Sequence, residues 1–482
     1  MGDAVARVSE HYQLGVEQPA LPFIDVELDS DTRLYVDPRA LLSDGTDWGA
    51  ECTSLVQDFF GHVLSCIRKG DHDRARLLLA HLREPNETRL GQSRGRPQGR
   101  ALGDVSSRDV WEALSKSRAV KSGMLTALEE TVLMIPGISY DIVSDITTNL
   151  IRDPLIRFTQ GACAEYGIPL APGVDSGPLW DPTKKQWYSE HVNLPVAGRK
   201  LLLVPKELVR RRTEYNVGEY FNDFVLEYLR SEELKDPTSS LVHVLKTTGG
   251  RRVTKKDLRE KYGQGKGVAI RVTEQNPKIL DDYRRRKDQR TRRAPSHEVI
   301  AENTDTPTPD WDALLSAVID TPPGSAHAED YHVAVRDLLA ALFYPHLVQP
   351  RKEWEIHDGR KRIDIVFTNA AGGGFFNWVA QRYSAPLIIV ECKNYADDVA
   401  NAELDQLSSR FSPRRGRVGL LLSRSFENEE RFAQRCKDTA TDDRGFIVHL
   451  TDADLEALVD EARTSDYPSF PLLRQRFDAL IA

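Results

Sequence analysis

The run PLIIVEC at residues 386–392 constrains the fold of this chain more than any other stretch. A continuous Leu/Ile/Val segment bounded by turn residues predicts a strand covered on both faces, the condition of a parallel sheet between helical layers. A second run, GRVGLLLS at 416–423, has the same character, and Asn401–Phe411 between them has helical spacing. The neighbouring pattern extends this unit. Glu329–Phe343 places Tyr331, Val335, Leu338, Leu339 and Leu342 on one helix face. Glu353–Ile356 and Arg362–Phe367 alternate around His357-Asp358-Gly359, where an Asp-Gly pair favours a hairpin. A helix at Glu427–Thr439, a strand at Gly445–Leu450 and a helix at Asp452–Ala462, capped by Thr451, complete it. The expected fold is therefore an α/β C-terminal domain, a mixed central sheet flanked by helices, over residues 328–465 with a tail at 466–482. It follows a mainly helical α+β N-terminal region.

That region is less sharply patterned. Helical spacing marks Cys52–Lys69, Ser107–Ser117, Lys121–Met134 and Val217–Arg230, and Asp25–Tyr35 alternates like two strands around a turn. We divide it into 1–198 and a basic segment, 199–293. A proline-rich linker follows at 294–327, in which Trp311–Ile319 alone has helical spacing. Arg89–Gly103 reads as a mobile basic surface loop, and Gly263, Gly265 and Gly267 around Lys266 as a weak candidate for an anion nest.

The whole chain of 482 residues carries a net charge of −8, which argues against a protein coating nucleic acid by bulk charge. The distribution says otherwise. Residues 199–293 hold 25 Lys+Arg against 14 Asp+Glu, a net of +11, leaving −19 for the remainder. Within this segment Arg284, Arg285, Arg286, Lys287 and Arg290 form the densest cluster, a candidate for phosphate contacts. A solvated helix face is the plainer reading of the same run. No apolar stretch is long enough for a membrane helix and the N-terminus lacks a secretory h-region. The five cysteines are scattered, so reduced thiols and a cytoplasmic protein are expected.

Two acidic positions carry chemistry. Strand alternation puts Asp364 of RIDIVF on the face opposite Ile363, Ile365 and Phe367. Glu391 and Lys393 of IIVECKN are two residues apart and share a face, while Cys392 points away. A charged pair at the end of a buried strand costs free energy unless it is satisfied or used. One reading is a buried ion pair. The other is a site in which Asp364, Glu391 and the backbone carbonyl of Cys392 hold Mg²⁺ (or Mn²⁺), a hard cation that prefers oxygen ligands, with Lys393 orienting water or stabilising transition-state charge.

Residues 327–462 resemble the PD-(D/E)xK nuclease superfamily, and within it the Mrr-type restriction endonucleases. The resemblance rests on the element order and on KRIDIVF, LIIVECKNY, GLLLSRSFENEERFAQRC and GFIVHLTDADLEALV. It implies metal-dependent hydrolysis of DNA phosphodiesters, with Asp364, Glu391 and Lys393 at the matched positions. Ile363 stands where the motif has its proline, and Ala370–Ser384 widens the spacing between Asp364 and Glu391. The family often places a glutamate on the first helix. That slot falls on His332, with Glu329 three residues earlier, so Glu329 is an accessory candidate and His332 its substitute. Gln406 reads as a surface residue, with orienting Lys393 as its alternative role.

The expected function is a Mg²⁺-dependent endonuclease of restriction or anti-phage defence, acting on DNA, with RNA left open as substrate. The resemblance implies a homo-oligomer, and partner proteins of a defence system would fit the unread N-terminal region. A nuclease-fold protein that binds nucleic acid without turnover is the alternative.

Overall fold

The computed structural model describes residues 6–91, 107–244, 250–289, 293–395 and 401–482. Arg290 and most of the basic loop expected at Arg89–Gly103 lie outside them.

The N-terminal part is built on helix α1 (Asp47–Lys69), whose Thr46 hydroxyl caps it by accepting from Gly49 N–H at 3.0 Å. Its inner face buries Phe59, Phe60, Val63 and Ile67. Helix α2 (Arg152–Tyr166) and helix α3 (Lys278–Gln289) belong to the same core. Three expectations change here. Lys121–Met134 is not one helix, because Gly123 at φ 82° breaks it into short turns at Arg118–Lys121 and Leu128–Met134. Asp25–Tyr35 does not form a strand pair. Only Tyr35–Val36 is extended into a ladder, and its partner is the distant Val209–Arg210. Val217–Arg230 is helical but continues to Lys235 and widens into a π turn at Phe221–Val225.

The proline-rich stretch is ordered rather than open. Besides the expected helix α5 (Trp311–Ile319), a second helix, α4 (His297–Thr304), starts at a Ser296 cap. Prolines outside these two segments leave both free to form. Helix α5 buries Val318 in the C-terminal core, and Arg424 donates to the carbonyls of Val318 and Thr321 at 3.0 and 2.9 Å.

The C-terminal unit keeps the expected order and adds two helices, one in the stretch between Asp364 and Glu391 and one in the tail: helix α6 (Ala328–Leu342), strands β1 (Leu347–Ile356) and β2 (Lys361–Asn369), helix α7 (Gly374–Tyr383), strand β3 (Leu387–Lys393), helix α8 (Asn401–Ser408), strand β4 (Val418–Ser423), helix α9 (Glu429–Thr441), strand β5 (Phe446–Leu450), helix α10 (Asp452–Thr464) and helix α11 (Pro471–Ile481). The five strands lie in sequence order. β1–β2–β3 are antiparallel and β3–β4–β5 parallel, so the sheet is mixed. The hairpin is longer than its alternation suggested and turns through His357, Asp358 and Gly359, all with positive φ, which Asp and Gly tolerate best. Pro350 lies in β1, at the sheet edge, where a missing N–H costs least.

The two cores meet at a buried ion pair. Glu165 of α2 accepts from Arg336 Nη1 of α6 at 2.8 Å and from Lys352 N–H of β1 at 2.8 Å, while the Arg336 guanidinium lies over the Tyr166 ring. Tyr344 leaves the C-terminal unit to pack in the N-terminal core, under the Lys206 ammonium. Beside it His297 is half-buried, its Nε2 3.0 Å from the Ala341 carbonyl.

Two outcomes follow. Arg336 and Glu165 are only 5% and 8% exposed, and Glu165→Ala leaves the guanidinium to Asp337 alone and takes the acceptor from Lys352 N–H, so it should cost about 1–3 kcal/mol in urea unfolding; a loss below about 0.5 kcal/mol would show that the pair does not hold the junction. Burial pushes the His297 imidazole down to about 3 from 6.5, helped by Lys206. Between those values the unfolded chain binds a proton that the folded chain refuses, so this group makes stability fall as pH drops through that window. His297→Gln should flatten the decline of the melting temperature between about pH 7 and about pH 4; an unchanged profile would contradict this assignment.

Candidate active site

Antiparallel register brings the two carboxylates together. Ile365 pairs with Val390 and Val366 with Ile389, so one step further along the ladder sets Asp364 opposite Glu391. Side chains directly opposite share a face and approach to about 5 Å between Cβ atoms, and like charges there repel. Asp364 bends toward β3, its Oδ2 accepting from Cys392 N–H at 2.9 Å. Asp364, Glu391 and the Cys392 backbone therefore sit in one place, as the sequence led us to expect. The Cys392 thiol is buried.

Glu391 is fully buried. Its Oε1 accepts from Lys393 Nζ at 2.7 Å and from Gln406 Nε2 of α8. Its Oε2 has no hydrogen-bond partner. Burial pushes the Glu391 carboxyl up to about 7, the charge of Asp364 adds to this, and Lys393 opposes it. For Lys393, burial alone would favour the neutral amine, but Glu391 outweighs it and holds the ammonium above its ordinary value. Gln406 thus corrects its surface reading: it is half-buried, bonds to Glu391 and stands 3.4 Å from Lys393 Nζ. Arg410, which the sequence did not single out, is buried and adds positive potential at Glu391.

Helix α6 brings His332, not Glu329, beside Asp364. His332 Nε2 stands 3.9 Å from Asp364 Oδ2, whereas Glu329 is paired with Lys352 and its side chain is 62% exposed. That pairing is the main cause that lowers the Glu329 carboxyl, with His332 and Arg336 adding to it. The helical count that points to His332 could find this; the Lys352 partner, on a strand far along the chain, could not be read locally.

The basic cluster is elsewhere and is mostly spent. Arg284 pairs with Glu130 at 2.6 Å and Asp281 at 2.8 Å, Lys287 is buried against Glu219, Arg285 pairs with Asp282, and Arg286 lies over the Phe224 ring. Lys266 turns inward to donate to the Ile138 carbonyl at 2.9 Å, so it does not face an anion nest. The strand that delivers Asp364 begins with two exposed cations, Lys361 and Arg362, with Arg360 in the turn before it; Arg362 pairs with Glu353 at 3.2 Å and Arg360 with Asp358 at 3.5 Å.

Among the described residues no three His, Cys, Asp or Glu side chains form a set that could hold a metal ion. Mg²⁺ does not require one, since it keeps several waters and takes one or two carboxylates. The unpartnered Glu391 Oε2 beside Asp364 fits that demand. Magnesium at about one hundred times its dissociation constant should then stabilise the fold by about 2.7 kcal/mol. Asp364→Asn should raise the melting temperature in EDTA, by relieving the cross-strand repulsion, and abolish the magnesium increment. Equal magnesium shifts in both proteins would contradict the assignment.

Comparison with protein families matches residues 13–216 to a domain of unknown function (DUF8370), a segment that ends before the sheet and its carboxylates. Neither the curated proteins nor the solved structures contain a match to the chain.

Proposed function

We propose that this chain is a Mg²⁺-dependent endonuclease that hydrolyses DNA phosphodiester bonds, a restriction or anti-phage effector whose C-terminal unit cuts. The observation that carries the reading is the cross-strand pair Asp364 and Glu391, with an unpartnered buried oxygen on Glu391 and the Lys393 ammonium beside it.

Asp364 and Glu391, with the Cys392 carbonyl, would hold the metal. When bound, the ion supplies a water of lowered pKa and a positive charge toward the phosphate. The chain's own residues do the rest. Lys393 keeps its proton and places a fixed positive charge where negative charge grows on the phosphoryl oxygens. Gln406 holds the Glu391 carboxylate so that one oxygen stays turned to Lys393. Lys361, with Arg362 and Arg360 whose partners Glu353 and Asp358 are themselves exposed, would meet backbone phosphates in place of Arg284 and the buried Lys287. An ordinary salt bridge needs Glu391 and Lys393 but gives no reason for Asp364 to face them.

Plasmid DNA incubated with the protein should be cut in Mg²⁺ or Mn²⁺ and left intact in EDTA. Asp364→Ala should abolish cutting while DNA binding persists, and Lys393→Ala should slow it by about 10²–10³-fold. Cutting by Asp364→Ala at the parent rate would refute the site. Binding without cutting under every activating condition would favour a non-catalytic nucleic-acid-binding role.

A further inference from the structure

A cavity of about 420 Å³ opens where the N-terminal unit meets the sheet, toward the ends of β2 and β3 away from the carboxylates. Its size falls within the range of about 300–1,000 Å³ typical of small-molecule sites. Three kinds of group converge on it. The half-buried rings of Trp48 and Phe158, with centroids 6.4 Å apart, leave aromatic surface toward the opening. Arg351 of β1 and Arg414, just before β4, line it, and neither has an ion-pair partner among the described residues. Asp47 and Trp48 begin the 23-residue α1, whose first N–H groups and dipole favour an anion. Asp47 is the one acid there without a partner, because Glu165 is held by Arg336 and Lys352.

We propose that this cleft binds a nucleotide, its base against Trp48 and Phe158 and its phosphate against Arg351, Arg414 and the start of α1. Exposed aromatic faces stack on any base, and guanidinium forks match phosphate oxygens. The place matters as much as the chemistry. Thr368 and Leu387 line the cleft and are cross-strand partners in β2 and β3. Four residues further along those two strands stand Asp364 and Glu391, about 13 Å away at strand rise. A nucleotide here would bridge the N-terminal unit and the strands that carry the proposed catalytic pair. The binding claim itself does not depend on that catalytic reading.

Gly161 of α2 also lines the cleft, and a Cβ built on it meets nothing within 4 Å, so Gly161→Phe fills the space without a clash at the backbone. Calorimetric titration of the full chain in EDTA, with ATP and the ribonucleoside monophosphates as probes, reads binding apart from any cleavage. At least one probe should bind once per chain with Kd below about 1 mM, and Gly161→Phe should weaken it at least about tenfold. Arg414→Glu, on an exposed side chain, should do the same and keeps the test decisive if Gly161→Phe disturbs folding. Adenosine and orthophosphate alone should each bind more weakly than the nucleotide. Absence of binding by every probe at about 1 mM, or binding that both variants leave unchanged, would overturn the proposal.

Discussion

Two carboxylates set side by side on neighbouring strands, one of them fully buried, are the constraint on which the C-terminal unit depends. Burial makes Glu391 costly to charge and the neighbouring Asp364 adds repulsion, which is why its carboxyl rises to about 7. The structure answers half of that cost with Lys393 and Gln406 on Oε1 and leaves Oε2 without a partner. An apolar pair at these positions would make a more stable sheet. An expensive arrangement that leaves one carboxylate oxygen without a partner is what the proposed cation would answer.

The elements around the pair serve that arrangement. The mixed sheet places β2 antiparallel to β3, so the ladder itself sets the two acids opposite each other, while the parallel pairing of β3 with β4 and β5 buries the strand that carries Glu391. Helix α6 brings His332 to Asp364 from one end and, one turn later, sends Arg336 into the N-terminal unit to meet Glu165. The same helix therefore touches the candidate site and the junction.

Much of the C-terminal unit was legible because its signals are local. Continuous Ile/Val/Leu runs, the Asp-Gly turn and the Thr451 cap each act within a few residues, and the D…ExK spacing puts Glu391 and Lys393 on one face whatever surrounds them. What was misread depended on distant partners or on one backbone angle. Gly123 breaks a helix that its apolar spacing suggested. Arg284 and Lys287 look like a free basic patch until Glu130 and Glu219, far away in the chain, neutralise them. Glu329 looked like a ligand until Lys352 claimed it. Ser296 could have announced helix α4, but the surrounding prolines masked the cap.

The most direct test of a cation-centred site is an anomalous difference map from crystals of the protein grown with Mn²⁺. The account predicts a peak within coordination distance of both Asp364 and Glu391 oxygens, with Glu391 Oε2 among the ligands. A clear peak elsewhere in the chain, or none at this pair while Lys393 and Gln406 keep Glu391 as a closed ion pair, would contradict it.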